Sequence, residues 1–300
     1  MSSVPLAAPA RSTFTTLRVY LALTKPRVIE LLLVTTVPAM VLAAGELPSL
    51  GLIAAVLLGG SGAAGGANTI NCWIERERDA IMHRTRRRPL PAGAVDPRHA
   101  LVFGLVLEAT AFVWLWATVN MLAASLAVSA MLFYVFVYTI WLKPRSPQNI
   151  VIGGAAGAVP VLVGWAAVTG GLDAPAWVLF AIVFCWTPPH FWALALRYQD
   201  DYAAAGIPML PVVRGPRGAA RQITVYSVIV VAVTLTLGIF TDVSAVYLVV
   251  AAVLGAGFVA SAVRLQRAPN GAAALKLFKY SNSYLAALFV TVAVDTLVFA

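Results

Sequence analysis

The sequence predicts an all-α, polytopic membrane protein. Three observations carry that reading. Hydrophobic residues make up 61% of the 300 and charged residues only 11%, against about 25% charged in globular domains. The mean hydropathy is +0.87. The apolar residues fall in runs of about 20, long enough as helices to cross ~30 Å of hydrocarbon.

The same composition sets other classes aside. A net charge of +9 is not a nucleic-acid signal here, because membrane orientation itself requires positive charge on cytoplasmic loops. Cys72 and Cys185 lie in or beside apolar segments without metal-ligand spacing, so neither a metal site nor a disulfide is expected of them. The first 25 residues lack a charged region followed by an apolar core, so no cleavable signal peptide is expected.

In chain order, residues 1–12 read as a disordered arm and residues 13–300 as a single transmembrane domain. Residues 13–27 suit an interfacial helix ended by Pro26. Nine apolar spans follow, near 28–45, 50–70, 98–118, 121–141, 148–169, 174–196, 220–240, 243–263 and 277–298. The N-terminal arm and the loops after spans 2, 4, 6 and 8 hold all 21 Lys and Arg, and the odd-numbered loops hold none. By the positive-inside rule the N-terminus is cytoplasmic and the C-terminus outside. Span 6 contains Pro188 and Pro189, which call for local irregularity in a protein-lined region.

The stretch from Asn71 to Gly93, NCWIERERDAIMHRTRRRPLPAG, carries the chemistry. On a helix, Asn71, Glu75 and Asp79 at i, i+4 and i+8 line one face. A hard cation such as Mg²⁺ takes such oxygens together with phosphate oxygens from a substrate. Arg84 and Arg88 follow, and guanidinium meets phosphate with two parallel hydrogen bonds. The alternative is a solvated face laced with i, i+4 ion pairs. Asp200, Asp201 and Tyr202 leave span 6 on the same side, as do Lys143 and Arg145 after span 4. Two acidic faces at one level can hold two Mg²⁺ ions around one diphosphate; solvated aspartates at a helix end are the plainer reading. His190, inside span 6, suits a substrate contact or simple packing. Trp186, Phe191, Trp192 and Tyr198 suit an isoprenoid tunnel, an aromatic belt or core packing. Glu30 lies near a membrane edge, and Glu108 receives no role.

NxxxExxxD followed by MHRTRRRPLPAG at 82–93 resembles the first signature of the UbiA-type intramembrane prenyltransferases. The strings YTIWLKPRSPQNIVIGGAAGAVPVLVGW at 138–165 and WTPPHFWALALRYQDDYAAAGIPMLPV at 186–212 resemble the haem-farnesylating branch of that family. LTKPRVIELLLVTT at 23–36 and LFKYSNSYLAALF at 277–289 do so too. The resemblance implies a nine-helix bundle with its active site open to the cytoplasm. It implies transfer of a farnesyl group from farnesyl diphosphate to a vinyl group of haem B, with addition of water, to give haem O. Asn71, Glu75, Asp79 and Asp201, with Asp200 beside it, would then serve Mg²⁺ and the diphosphate. Lys25, Arg84, Arg88, Lys143, Arg145, Arg197 and Tyr202 would contact substrate, and His190 the haem. Many relatives carry aspartate four residues before the position of Asp201, where this chain has Arg197. The second acidic site would thus have fewer ligands, or Arg197 would itself bind phosphate.

The Ala- and Arg-rich composition and the lack of a long targeting segment point to a bacterial inner membrane rather than a mitochondrial one, and the resemblance implies a downstream haem A synthase as candidate partner. A prenyltransferase for a quinone precursor or chlorophyllide, a secondary transporter and a non-catalytic haem-binding assembly protein are the alternatives. Transporter sites lie near the midplane, whereas these acids cluster at one membrane edge.

Overall fold

A computed structural model of the chain describes residues 13–299. The arm at 1–12 lies outside the described residues. Within them all regular structure is helical. The elements are α1 (Thr13–Thr24), α2 (Pro26–Ala44), α3 (Leu50–Ile81), α4 (Pro97–Thr118) and α5 (Met121–Leu132). A π-helical segment (Phe133–Leu142) continues α5. There follow α6 (Asn149–Thr169), α7 (Ala174–Arg197), α8 (Gln199–Ala204), α9 (Leu210–Leu235), α10 (Leu237–Phe240), α11 (Ala245–Arg267) and α12 (Gly271–Phe299).

Eight helices among the described residues are long and apolar enough to cross a membrane. The expected span at 28–45 falls on α2, whose described apolar stretch is only Val34–Ala44; Arg27 and Glu30 occupy its first turns. The other eight expected spans coincide with these eight helices, and the largest difference is at α3. That helix does not end at the edge of its apolar half but runs 32 residues, so the acidic stretch is its continuation.

Polar residues fix the helix starts. Ser49 accepts the Leu52 N–H at 3.2 Å, Asp96 the Arg98 N–H at 2.7 Å, and Asn120 the Ala123 N–H at 2.8 Å. Neighbours in sequence pack as antiparallel pairs: α3 on α4, α6 on α7, and α11 on α12. The chain closes by packing α12 on α2, while α2 also lies along α6. At that crossing a Cβ on Gly164 would stand 2.8 Å from the Thr36 carbonyl oxygen, so only glycine permits the approach. The core has two main parts. One joins α6, α7, α9, α11 and α12; the other joins α3, α4 and α5. Large apolar side chains such as Trp116, Phe136, Ile239 and Val253 point outward, as lipid-facing surfaces require.

Irregularity is not where the prolines predicted it. The helix α7 runs unbroken through Pro188 and Pro189, both buried. The irregular winding lies in the Phe133–Leu142 segment, which contains neither proline nor glycine. A further break falls inside α9, where Gly215 adopts φ 66° just before Pro216. Proline disfavours the α conformation in the preceding residue, and glycine takes the left-handed one at no steric cost.

Candidate active site

The polar half of α3 does not face solvent. Asn71, Glu75 and Asp79 are 1%, 4% and 3% exposed. The 3.6-residue repeat sets them on one face, and that face packs toward the π segment and the α1–α2 junction. Buried charges require partners, and each of the three side chains has a cation. The Lys25 ammonium donates to Asn71 Oδ1 at 2.7 Å. Lys143 forms an ion pair with Glu75. Arg88 Nη1 donates to Asp79 Oδ2 at 2.7 Å.

The backbone around the site is committed to this arrangement. Lys25 has φ 54°, the one positive φ outside glycine among the described residues. Left-handed backbone costs a non-glycine residue energy and persists only where the surroundings over-determine it. Here it sits between α1 and α2 and turns Lys25 toward α3. The start of the Arg-rich loop is held from two sides. Thr85 Oγ1 donates to the Asp79 carbonyl at 2.9 Å. Asp201 accepts the backbone N–H groups of His83 at 3.1 Å and Arg84 at 2.9 Å, one on each carboxylate oxygen.

Charge is kept at the two basic residues that meet acids. Burial of Lys143 works against its charge, but the Glu75 carboxylate outweighs that and lifts its pKa above the ordinary lysine value. Arg88 behaves alike: burial opposes the charge, and Asp79 more than restores it. Lys25 is the exception. Burial dominates and lowers its pKa, because its partner is a neutral amide.

Six of the expected residues therefore converge: Asn71, Glu75, Asp79, Lys25, Lys143 and Arg88. A second group sits against the Arg-rich loop. Arg84 stacks over the Tyr198 ring at 5.4 Å and reaches the Tyr202 hydroxyl at 3.4 Å, beside the Asp201 clamp. Asp201 was expected as a metal ligand, and both of its oxygens instead hold loop backbone. Asp200 and Arg197 are exposed. Arg145, also exposed, donates to the carbonyls of Ile140 and Trp141 at 2.9 and 3.2 Å and closes the end of the π segment. His190 lies between the Trp186 and Phe278 rings at 4.1 and 4.5 Å, with Nδ1 2.7 Å from Ser281 Oγ. Trp192 is core, edge-on to Tyr226. Among the described residues, no three His, Cys, Asp or Glu side chains gather into a metal-binding group. The face on α3 is two carboxylates and one amide.

The sequence profile of the UbiA prenyltransferase family matches residues 32–286. The chain belongs to this family. Its curated relatives include the protoheme IX farnesyltransferase of Mycobacterium avium (strain 104), 52% identical over 97% of this chain and 95% of that protein. Protoheme IX farnesyltransferase 1 of Saccharopolyspora erythraea is 54% identical over 97% and 95%. Among solved structures, a digeranylgeranylglyceryl phosphate synthase superposes with TM-score 0.76 at 20% identity, covering 93% of this chain and 98% of that one. A UbiA homologue from Archaeoglobus fulgidus bound to GPP and Mg²⁺ superposes with TM-score 0.64 at 17% identity, covering 91% and 99%. At those identities the superpositions establish the UbiA fold.

Sequence reasoning passed over one part of this UbiA site. The π segment lays the Tyr134 and Tyr138 rings parallel, 5.5 Å apart. It also brings Thr139, fully buried, to 3.0 Å from Asn71 Nδ2. A Cβ on Gly153 would stand 2.3 Å from the Tyr138 ring, so α6 carries glycine where that ring lies. The available signal was a lone aliphatic hydroxyl, Thr139, inside an apolar aromatic run that ends in Lys143.

Proposed function

We propose that this UbiA prenyltransferase farnesylates haem B. A farnesyl group passes from farnesyl diphosphate to a haem vinyl group, water adds, and haem O and diphosphate leave. The observation that carries the reading is the buried Asn71–Glu75–Asp79 face matched one-to-one by Lys25, Lys143 and Arg88. The names of relatives 52–54% identical over nearly the whole chain support haem as the acceptor.

The chemistry follows from the parts. The allylic C–O bond breaks, and its electron pair leaves with the diphosphate. Lys143, Arg88 and Lys25 can turn from their partners on α3 to the diphosphate oxygens, which stabilises the charge that develops there. Arg84 stands beside them, on the loop that Asp201 holds. The stacked Tyr134 and Tyr138 rings offer π faces to the allylic cation, and the apolar surroundings keep water from it. The vinyl π pair forms the new C–C bond. Water then adds to the resulting cation and releases a proton.

The α3 face suits a magnesium ion. Its donors are all oxygens, the set a hard cation takes, and Glu75 Oε1 already faces a cation, the Lys143 ammonium. Asn71, Glu75 and Asp79 would hold the ion together with the substrate. When bound, Mg²⁺ neutralises the diphosphate oxygens and makes them a better leaving group. We also propose nine spans, counting α2, with the basic end of the bundle and the site in the cytoplasm of a bacterial cell. The alternation of Lys and Arg between loops supports this.

The test uses detergent-purified protein with haem B, farnesyl diphosphate and Mg²⁺, and mass spectrometry of the porphyrins. A product heavier by one farnesyl group and one water, lost with EDTA, is the expected outcome. Diphosphate release with unmodified haem would keep the prenyl chemistry and overturn the acceptor.

A further inference from the structure

We infer that Thr139 is a positioning residue that keeps the Asn71 side-chain amide turned with its oxygen into the site. The inference rests on the reading of Asn71 as an oxygen donor there. An amide offers an oxygen on one side and an NH₂ on the other, and only the oxygen can meet a cation. The contacts of Asn71 settle which is which. Lysine has three donors and no acceptor, so the Asn71 atom 2.7 Å from Lys25 Nζ must be oxygen. The NH₂ then faces Thr139 Oγ1 at 3.0 Å. The one proton of that hydroxyl is already committed, because Oγ1 donates to the Tyr134 carbonyl at 2.8 Å. Thr139 can therefore only accept from Asn71, and an accepting hydroxyl selects NH₂ over oxygen.

The π winding makes this possible. The Thr139 hydroxyl reaches the carbonyl five residues back, in step with the i, i+5 repeat of the segment. Thr139 is fully buried, so no water stands in for it. Once the Lys25 ammonium turns to a diphosphate, the Thr139 contact still holds the amide.

The test measures Mn²⁺ binding by electron paramagnetic resonance on the full chain in detergent, with an unreactive farnesyl thiolodiphosphate present. Thr139→Val removes the hydroxyl at nearly constant volume and is expected to raise the half-saturating Mn²⁺ concentration roughly tenfold. Thr139→Ala gives the same shift and serves if the valine variant does not fold. Thr139→Ser restores binding. In an Asn71→Asp background Thr139→Val has little further effect, because a carboxylate presents an oxygen either way. Unchanged Mn²⁺ binding in Thr139→Val and Thr139→Ala, with binding lost in Asn71→Ala, would overturn the role of Thr139 and leave the site intact. Unchanged binding in Asn71→Ala would overturn the reading of Asn71 and the inference with it.

Discussion

Glu75 on α3 and Lys143 at the end of the π segment form an ion pair from which solvent is almost absent. The two residues are far apart in sequence and belong to different helices, so the pair also sets how α3 and the π segment lie together. Removing the lysine alone leaves a buried carboxylate without a counter-charge, which destabilises by about 3 kcal/mol. Thermal melting in detergent is expected to show this loss in Lys143→Met. The double variant Lys143→Met with Glu75→Gln should recover most of it. Equal loss in both would mean that the charges are not coupled.

The same pair predicts an alkaline limb. The folded-state pKa of Lys143 is raised above 10.5, chiefly because Glu75 outweighs the burial that opposes charge. A raised lysine contributes fully below its unfolded value and loses that contribution as pH rises through the folded one. The wild-type melting temperature should therefore fall above pH 10.5. Lys143→Met should show a flatter profile over the same window.

Asp79→Asn keeps an acceptor for Arg88 and removes a charge from the α3 face. We expect a folded protein, melting somewhat lower because Arg88 loses its counter-charge, and a turnover lowered roughly 100-fold. Diphosphate release and porphyrin mass spectrometry read the two halves of the reaction separately. Wild-type turnover would remove Asp79 from the chemistry.

Asp201→Ala frees two backbone N–H groups of the Arg-rich loop, at His83 and Arg84. Trypsin cuts after arginine unless proline follows, and Arg84, Arg86 and Arg87 lie in that loop. The expected result is faster tryptic cleavage within it, together with a higher KM for farnesyl diphosphate. A wild-type digestion pattern would show that the loop is held by other means.

Gly153→Ala places a methyl group inside van der Waals contact of Tyr138. Overpacking of this kind costs about 1–3 kcal/mol. Both melting and turnover should drop, since the ring shares a segment with Thr139 and Lys143. An unaffected enzyme would mean that the π segment moves freely.

Much of this arrangement was legible in the sequence because it obeys a helical period. Asn71, Glu75 and Asp79 share a face for the same reason that any i, i+4, i+8 set does, and the apolar runs give eight of the helices directly. What could not be read was long-range pairing. Nothing local to Asp201 says that its carboxylate clamps a loop more than a hundred residues earlier. Nothing local to Lys25 says that its backbone is left-handed. Pro188 and Pro189 misled because proline is a local signal, whereas α7 keeps its course inside a packed core. The π segment was hidden for the opposite reason: no residue type marks it, and the contacts of Thr139 and Tyr138 stabilise it only once the helices are assembled.

The π segment also makes the chain sensitive to length. An α-helix of the same residues would turn each later position by a different angle, since every residue advances a helix by about 100°. Rewound as an α-helix at unchanged length, the segment would swing Lys143 away from Glu75 by about that angle, whereas losing one residue on rewinding restores the phase. A frame-preserving loss of a single codon here would therefore be compensated by α winding, and the same loss within a neighbouring α-helix, which holds no extra residue, would not.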